Sequence, residues 1–257
     1  MADDVLCPGQ EKTFEFLEDV LDEVVGLFPS ELIHIGGDEC PKVRWEKCPR
    51  CQARIRQLGL RDKDGYTAEH YLQGYVTDRI GKYLAERGRR IIGWDEILEG
   101  QAPSDAIVMS WRGSAGGIKA AKLGHDVIMT PNSHFYFDYY QSPDADAEPF
   151  GIGGCVTIDK VYSFDPMADL TPGQQAHILG VQANLWTEYI ASDDHLEYML
   201  LPRLAALSEV QWMDPAQKDF KDFVKRVECL RAIYELKGYT YAKHLWPEEH
   251  LKGSREL

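Results

Sequence analysis

Apolar residues recur along the chain at two different spacings, which separate predicted helices from predicted strands. Between residues 11 and 28 they recur every three or four positions with Asp and Glu between them, as in an amphipathic helix. A second such pattern covers 66–87 and ends at Gly88, a residue type common at helix ends. The remaining predicted helices cover 43–58, 116–123, 193–212 and 216–236.

Short, continuously apolar runs predict buried strands. They cover residues 32–35, 90–94, 106–110, 126–130 and 177–184. Runs that are apolar on both faces are typical of a parallel sheet covered by helices. Because polar or aromatic residues always follow at the carboxyl end, the pattern predicts an α/β fold of the (β/α) barrel type.

The chain is predicted to be a single domain over 1–257, since it shows no internal repeat and no low-complexity linker. Residues 142–176 are rich in Pro and Gly and are predicted as a long loop excursion within that domain. The connection between the second and third predicted strands is so short that the helix within it must be very short.

The first predicted strand ends in Gly36, Gly37, Asp38 and Glu39. Two glycines let the backbone turn without side-chain hindrance, and two carboxylates follow at once. In parallel α/β folds, ligands bind at the carboxyl ends of the strands. An acidic pair is more often a solvated loop or a helix cap, but similar polar strand ends downstream favour a site.

The later strand ends carry aromatic and acidic residues. Trp94, Trp111 and Trp186 follow three different strands, Asp138 lies in the loop after the fourth, and Glu188 follows the fifth. A single Trp belongs more often to a core, but three at one edge are typical of sugar binding. Aromatic faces stack on sugar rings, and carboxylates accept hydrogen bonds from hydroxyls.

Glycoside hydrolysis commonly uses two carboxylates on opposite sides of the scissile bond. Asp38 and Glu39 are adjacent, so they are poorly placed to straddle that bond. They can serve one side together, one as the proton donor and one as an orienting group. The nucleophile then comes from elsewhere, for example from the substrate itself.

Charge and hydropathy narrow the range of partners. The net charge is −14, with 28 basic and 42 acidic residues, which argues against a nucleic acid. No apolar run approaches the ~20 residues that a membrane span needs. Residues 1–5 lack the basic and apolar regions of a signal peptide, so the residues themselves assign no compartment.

Three of the six cysteines, Cys40, Cys48 and Cys51, lie close together in the sequence. Their spacing resembles three ligands of a small zinc site, but a fourth ligand at matching spacing is missing. A disulfide from Cys40 to Cys48 or Cys51 and free thiols are the alternatives. No metal is therefore assigned to the site, and no cofactor is predicted.

Five motifs in order resemble those of glycoside hydrolase family 20, the β-N-acetylhexosaminidases. They are HIGGDE at 34–39, GWDE at 93–96, SW at 110–111, YFD at 136–138 and LWTE at 185–188. The resemblance implies an eight-stranded TIM barrel, of which this chain carries about strands 4–8. The first three strands, with an arginine that grips sugar hydroxyls in the family, are expected to precede Met1.

The resemblance also implies a retaining, substrate-assisted reaction on terminal β-linked N-acetylglucosamine or N-acetylgalactosamine of an oligosaccharide or glycoconjugate. The acetamide oxygen of the sugar attacks its own anomeric carbon. By position, Glu39 is the general acid and later the base, and Asp38 holds the acetamide N–H. Tyr136 donates its hydroxyl to the acetamide oxygen, with Asp138 nearby.

By the same resemblance, Trp94, Trp111 and Trp186 enclose the acetamide and the sugar ring. Glu188 binds hydroxyls of the terminal sugar. His34 is expected beside the acidic pair, and a satisfied buried histidine is the alternative interpretation. A periplasmic or secreted location is expected of the family.

Two other functions compete with hydrolysis by the acetamide route. The chain could be a non-catalytic amino-sugar-binding fragment, since about three strands are expected to be missing. A metal-dependent hydrolase would use Asp38, Glu39, Asp95 and Glu96. With strands absent, the first and last strands would present unpaired edges, so the chain expressed alone is expected to be poorly soluble or oligomeric, and nearly inactive.

Overall fold

The computed structural model describes residues 4–246. Five strands form one sheet in the order β1-β2-β3-β4-β5, and the pairs β1–β2 and β2–β3 are parallel. The strands are β1 (Leu32–His34), β2 (Arg90–Trp94), β3 (Ile107–Ser110), β4 (Val127–Met129) and β5 (Ile178–Val181). Sequential strand order with helical connections is the pattern of a (β/α) barrel, so the predicted fold class is confirmed.

Helices fill the connections between these strands. The α-helices are α1 (Glu11–Leu27), α2 (Val43–Lys47), α3 (Pro49–Leu58), α4 (Ala68–Ala85), α5 (Ala115–Lys122), α6 (Asn132–Phe135), α7 (Ile158–Ser163), α8 (Pro172–Gln175), α9 (Asp193–Leu200), α10 (Arg203–Trp212) and α11 (Phe220–Lys237). Short 3₁₀ helices cover Asp95–Glu99, Ala145–Ala147 and Pro215–Gln217. The first of these is the very short connection predicted between β2 and β3.

Two predicted helices are each broken into two by a proline. The predicted helix over 43–58 breaks at Cys48, and α3 starts with Pro49 in its first turn. The predicted helix over 193–212 breaks at Leu201, before Pro202. Proline lacks a backbone N–H and its ring crowds the preceding turn, so it starts a helix more readily than it continues one.

The chain divides into two compact units. Unit 1 comprises Met1–Ile128 and Asp169–Leu179, and unit 2 comprises Met129–Ala168 and Gly180–Leu257. Each unit has a core of its own. Fully buried side chains include Phe14, Leu72, Leu84 and Ile107 in unit 1, and Phe135, Phe137, Met199 and Phe223 in unit 2.

Within residues 4–246, no helix combines the length and apolar composition that a membrane span requires. The loop excursion predicted over 142–176 contains the short helices α7 and α8 and one 3₁₀ turn.

Candidate active site

A glycine turn at the end of β1 sets the position of the acidic pair in unit 1. The carbonyl of Gly36 accepts a 2.9 Å hydrogen bond from the backbone N–H of Trp94, which extends the pairing with β2. Gly37 has a φ of 100°, and a Cβ there would lie 2.8 Å from the Ile97 side chain. Both the dihedral angle and the close approach require glycine, and Asp38 follows directly.

Both carboxylates of the acidic pair face solvent. Asp38 and Glu39 are exposed, and neither makes a hydrogen bond or an ion pair within residues 4–246. Glu39 has a φ of 48°, in the left-handed region that non-glycine residues seldom occupy. Such a backbone costs on the order of 1–3 kcal/mol and is concentrated at functional sites. The fold therefore presents Glu39 in an unfavourable conformation with its carboxylate available.

His34 lies beside this turn. Its Nδ1 accepts a 3.0 Å hydrogen bond from the backbone N–H of Gly36, and its ring centroid lies 4.8 Å from that of Trp94. Desolvation lowers the pKa of His34, while the negative charge of Asp38 opposes that shift. A neutral imidazole that accepts at Nδ1 carries its proton on Nε2, so His34 supports the turn through Nδ1.

A chain of hydrogen bonds holds the backbone on both sides of the acidic pair. Gln73 on α4 donates from Nε2 to the carbonyl of Gly37 at 2.7 Å. Lys42 donates to the side-chain oxygen of Gln73 and, at 2.8 Å, to the carbonyl of Cys40. Gly37 and Cys40, which flank the acidic pair, are thus both connected to α4 by hydrogen bonds through Gln73.

The next two strand ends are joined by a buried carboxylate. Asp95, after β2, is only 3% exposed and accepts hydrogen bonds from the backbone N–H groups of Trp111 and Arg112 at 2.9 and 3.2 Å. Its other oxygen accepts from Arg112 Nε at 2.6 Å. A Cβ on Gly116 would lie 2.7 Å from that of Asp95, so the start of α5 also closes over this group.

Glu96 fixes the indole of Trp111. The indole N–H donates to a Glu96 carboxylate oxygen at 2.9 Å. Burial raises the pKa of Glu96, although the bond from Trp111 and the charge of Arg112 act in the opposite direction. Hydrogen bonds from Arg112 to Glu99 and Asp95 outweigh desolvation and raise the pKa of that arginine, so it stays charged.

Asp95 and Glu96 therefore position a tryptophan. The sequence placed them in the family motif at 93–96 and gave them a specific role only as ligands of a metal-dependent hydrolase, together with the acidic pair. Within the described chain, the only group of three metal-ligating side chains with their ligand atoms within 4.8 Å of one another is formed by cysteines. The arrangement in unit 1 thus gives no support to that alternative.

In unit 2, Tyr136 lies among aromatic rings. Its ring centroid is 6.2 Å from that of Trp186 and 5.6 Å from that of Tyr139, both in edge-on arrangements. The next residue, Phe137, donates its backbone N–H to the carbonyl of Asn184 at 2.7 Å, which joins this segment to the one that carries Trp186. Burial raises the pKa of Tyr136 to about 12, with Trp186 and Asn184 opposing the shift. The hydroxyl therefore keeps its proton at neutral pH.

Asp138 is the buried carboxylate of unit 2. It is 5% exposed, and its Oδ1 has no hydrogen-bond partner within residues 4–246. Burial raises the pKa of Asp138, the backbone N–H of Trp186 lowers it, and the charge of Glu188 raises it. Asp138, Trp186 and Glu188 line one cavity of about 10 Å³, room for one water-sized group.

One arginine that sequence reasoning missed supports this segment. Arg203 on α10 is fully buried and donates to the carbonyls of Phe137 at 2.6 Å, Tyr139 at 2.9 Å and Val156 at 3.0 Å. Burial lowers the pKa of Arg203 to about 9, against the attraction of Glu148 and Asp138. The available signal was a basic residue inside the apolar run that follows Met199.

The predicted site residues fall into two sets, one in each unit. Unit 1 holds His34, Asp38, Glu39, Trp94 and Trp111, and unit 2 holds Tyr136, Asp138, Trp186 and Glu188. Within unit 1 the structure brings His34 to Trp94, and within unit 2 it brings Asp138 to Trp186 and Glu188.

The cysteine prediction is wrong in one member. Cys48 and Cys51 do lie together, but the third thiol of their group is Cys7, with Sγ–Sγ distances of 3.7 and 3.5 Å to these two. Cys40 is not part of the group, and all six cysteines are free thiols rather than disulfides. Cys40 instead belongs to the loop that follows the acidic pair.

Comparison with known proteins identifies the family. A family profile described as "Glycosyl hydrolase family 20, catalytic domain" matches residues 1–215. The chain is 46% identical to a β-hexosaminidase of Porphyromonas gingivalis, over 99% of this chain and 32% of that protein. It is 35% identical to a β-hexosaminidase of Vibrio furnissii, over 80% of this chain and 33% of that protein. It thus spans about a third of the length of these relatives.

Solved structures agree with that assignment. An exo-β-N-acetylglucosaminidase of Vibrio harveyi in complex with N-acetylglucosamine matches 95% of this chain and 37% of its own, with a TM-score of 0.83 and 30% identity. A chitobiase of Flavobacterium johnsoniae matches 92% of this chain and 34% of its own, with a TM-score of 0.76 and 31% identity. The chain belongs to glycosyl hydrolase family 20 and carries part of that family's catalytic (β/α) barrel.

Proposed function

We propose that the protein hydrolyses terminal β-linked N-acetylglucosamine or N-acetylgalactosamine from oligosaccharides or glycoconjugates, with retention of configuration. The observation that carries this proposal is the glycine turn after β1. It presents Asp38 and Glu39 side by side and exposed, in a chain of a glycosidase family. Adjacent acids are poorly placed to straddle a glycosidic bond, and the nucleophile in this proposal is the acetamide group of the substrate, as the family resemblance implies.

In the first step, the acetamide carbonyl oxygen attacks the anomeric carbon. The bond from that carbon to the leaving oxygen breaks, and the carboxylic acid of Glu39 gives its proton to the leaving oxygen. Asp38 accepts a hydrogen bond from the acetamide N–H and stabilises the positive charge of the oxazolinium intermediate.

In the second step, the Glu39 carboxylate takes a proton from a water molecule. The water oxygen bonds to the anomeric carbon, the bond to the acetamide oxygen breaks, and the acetamide is restored. Two inversions at one carbon give net retention.

Tyr136 donates its hydroxyl to the acetamide oxygen in this proposal. The raised pKa of about 12 supports the role, because a donor must be protonated at neutral pH. Its burial beside Trp186 also favours a strong hydrogen bond, since the local dielectric is low. Asp138 assists from the same segment.

The three tryptophans, Trp94, Trp111 and Trp186, are proposed to enclose the acetamide methyl group and the sugar ring. A fixed indole supports this role, and Glu96 holds that of Trp111 through its N–H. Glu188 accepts hydrogen bonds from sugar hydroxyls. The whole chain acts as one catalytic-barrel domain in this proposal. A periplasmic or secreted location, where such glycans are met, is proposed with it and is tested by fractionation of the source cells.

A release assay on the full-length protein tests the proposal. We expect 4-nitrophenyl β-N-acetylglucosaminide or its galactosamine epimer to be cleaved and the plain glucoside to be a very poor substrate. Glu39→Gln should abolish most turnover, whereas Glu31→Gln, an exposed acid just before β1, should not. Binding of the amino sugar without turnover would instead identify a sugar-binding protein, and cleavage of the glucoside at the same rate would overturn the acetamide mechanism.

A further inference from the structure

Outside the candidate active site, three thiols converge in unit 1. Cys7 comes from the segment before α1, Cys48 from the residue before α3, and Cys51 from the first turn of α3. Their sulfur atoms all lie within 4.8 Å of one another. Cys51 is fully buried, and Cys7 and Cys48 are half-buried. Neither the family assignment nor the proposed hydrolysis uses this cluster.

The sulfur spacing fits a tetrahedral metal ion. With zinc–sulfur bonds of about 2.3 Å, two thiolates at tetrahedral angles lie about 3.8 Å apart. The Sγ–Sγ distances from Cys7 are 3.7 Å to Cys48 and 3.5 Å to Cys51. A disulfide would join only two of these sulfurs and leave the third thiol packed against the bond.

Backbone N–H groups approach two of the three sulfur atoms. The N–H groups of Arg50 and Cys51 point to the sulfur of Cys48, and the N–H of Gly9 points to that of Cys51. This approach needs glycine, because a Cβ on Gly9 would lie 2.3 Å from the carbonyl carbon of Arg50. N–H donors offset the negative charge of thiolates, as they do at other anion sites.

The open side of the cluster is basic. Arg44, Lys47 and Arg50 line the same recess as the three cysteines. A divalent ion with three thiolates carries one net negative charge, which these cations complement. The recess also leaves room for a fourth ligand, water or an exogenous anion, on the metal.

We propose that Cys7, Cys48 and Cys51 bind one zinc ion. Thiolate ligands select thiophilic ions such as zinc over magnesium and calcium. The ion joins the segment before α1 to the helix pair α2–α3, and α2 begins four residues after Glu39. One neighbouring contact already connects the same segments, since the indole N–H of Trp45 donates to the carbonyl of Leu6 at 2.9 Å. The zinc therefore has a structural role, because it joins the segments that adjoin the loop carrying Asp38 and Glu39.

Metal analysis of the full-length protein tests the proposal. Purified without chelator and with a reductant, the wild type should carry about one zinc per chain. Cobalt exchanged into the site should give the visible absorption and the thiolate charge-transfer bands of tetrahedral sulfur coordination. Strong chelation should lower the Tm by about 5 °C or more, since metal binding free energy adds to folding free energy.

Single serine variants identify the ligands. Cys7→Ser and Cys48→Ser should lose most of the zinc, while Cys40→Ser and Cys229→Ser should keep it. Cys40→Ser is the decisive control. Sequence spacing alone groups Cys40 with Cys48 and Cys51, whereas the observed cluster contains Cys7 in its place. Far-ultraviolet circular dichroism checks that each variant is folded, so that zinc loss is not read from a denatured chain.

Two results would overturn the proposal. One is a folded wild type that contains no zinc, takes up no cobalt, and has all three thiols open to a thiol reagent. The other is a disulfide between two of the three cysteines, found by mass spectrometry in protein purified without oxidant.

Discussion

The two units hold their functional side chains in opposite ways. In unit 1 the acidic pair stands exposed on a glycine turn, and Glu39 has an unfavourable positive φ. In unit 2 Tyr136 and Asp138 are buried, and Arg203 binds the carbonyls around them. Unit 1 therefore positions its acids through the backbone, while unit 2 positions its polar groups through burial and a buried cation.

This difference suits the two proposed tasks. A general acid and base must exchange protons with the leaving group and with water, so Glu39 needs access to both. A hydrogen-bond donor to a developing charge works best when fixed and shielded, which is the environment of Tyr136.

The largest effect is expected in unit 1. Glu39→Gln should lower turnover by ~10²–10⁴-fold, the usual contribution of a positioned proton donor. Substrates with a good leaving group should lose less, because they need less protonation. Steady-state kinetics with a nitrophenyl and an alkyl N-acetylglucosaminide measure this, and an equal loss for both substrates would contradict the role of Glu39.

The next effect is expected in unit 2. Tyr136→Phe should lower kcat by ~10²–10³-fold, as removal of one donor to a developing charge does. Because the pKa of Tyr136 is about 12, its proton is not lost below pH 9, and the pH–rate profile should keep its shape in the variant. A change of the alkaline limb on substitution would show that Tyr136 titrates during catalysis. Asp38→Asn should also slow the first step.

The buried cation should matter for stability. Arg203→Met leaves several buried carbonyls without a donor and should lower the free energy of unfolding by about 3 kcal/mol or more. Arg226→Met is the matched control on α11, where the side chain is largely exposed and pairs with Glu209 and Asp222. That change should cost about 1 kcal/mol or less. Urea denaturation measures both, and equal losses would refute the special role of Arg203.

The smallest effect concerns the buried carboxylate beside Trp111. Burial raises the pKa of Glu96, so its ionisation costs stability as the pH rises above the carboxyl range of about 4 to 5. The stabilisation that comes from protonated Glu96 is fully present when the pH lies below the pKa of Glu96 in the unfolded chain. It is lost as the pH rises through the pKa of Glu96 in the folded protein. The free energy of unfolding of Glu96→Gln, relative to that of the wild type, should therefore be more favourable at pH 7 than at pH 4. Urea denaturation at both values tests this, and the opposite sign would contradict it.

Sequence patterns predicted the positions of helices and strands more accurately than the points at which a helix is interrupted. The strand predicted over 32–35 is observed as Leu32–His34, and the helix predicted over 11–28 as Glu11–Leu27. The break at Cys48 was missed because Trp45, Cys48, Cys51 and Ile55 recur every three or four positions, as they would in one continuous helix. Pro49 was a visible signal, since proline commonly starts a helix.

Contacts between distant segments could not be predicted from local patterns. Asp95 meets Arg112 seventeen residues away, and Cys7 meets Cys48 and Cys51 more than forty residues away. No periodicity or short motif encodes such pairs. The acidic pair, by contrast, was found because the strand, the glycines and the acids are contiguous.

The most direct test of the central claim is a series of 4-nitrophenyl N-acetylglucosaminides whose acetamide methyl group carries zero to three fluorines. Fluorine withdraws electrons from the acetamide oxygen and enlarges the methyl group only moderately, so the main change along the series is in the nucleophilicity of that oxygen. Participation of the acetamide predicts that kcat of the full-length protein falls steadily with each added fluorine, where every tenfold loss corresponds to about 1.4 kcal/mol of added barrier. A kcat that does not change across the series would show that the acetamide is not the nucleophile, and that Asp38 and Glu39 serve a different reaction.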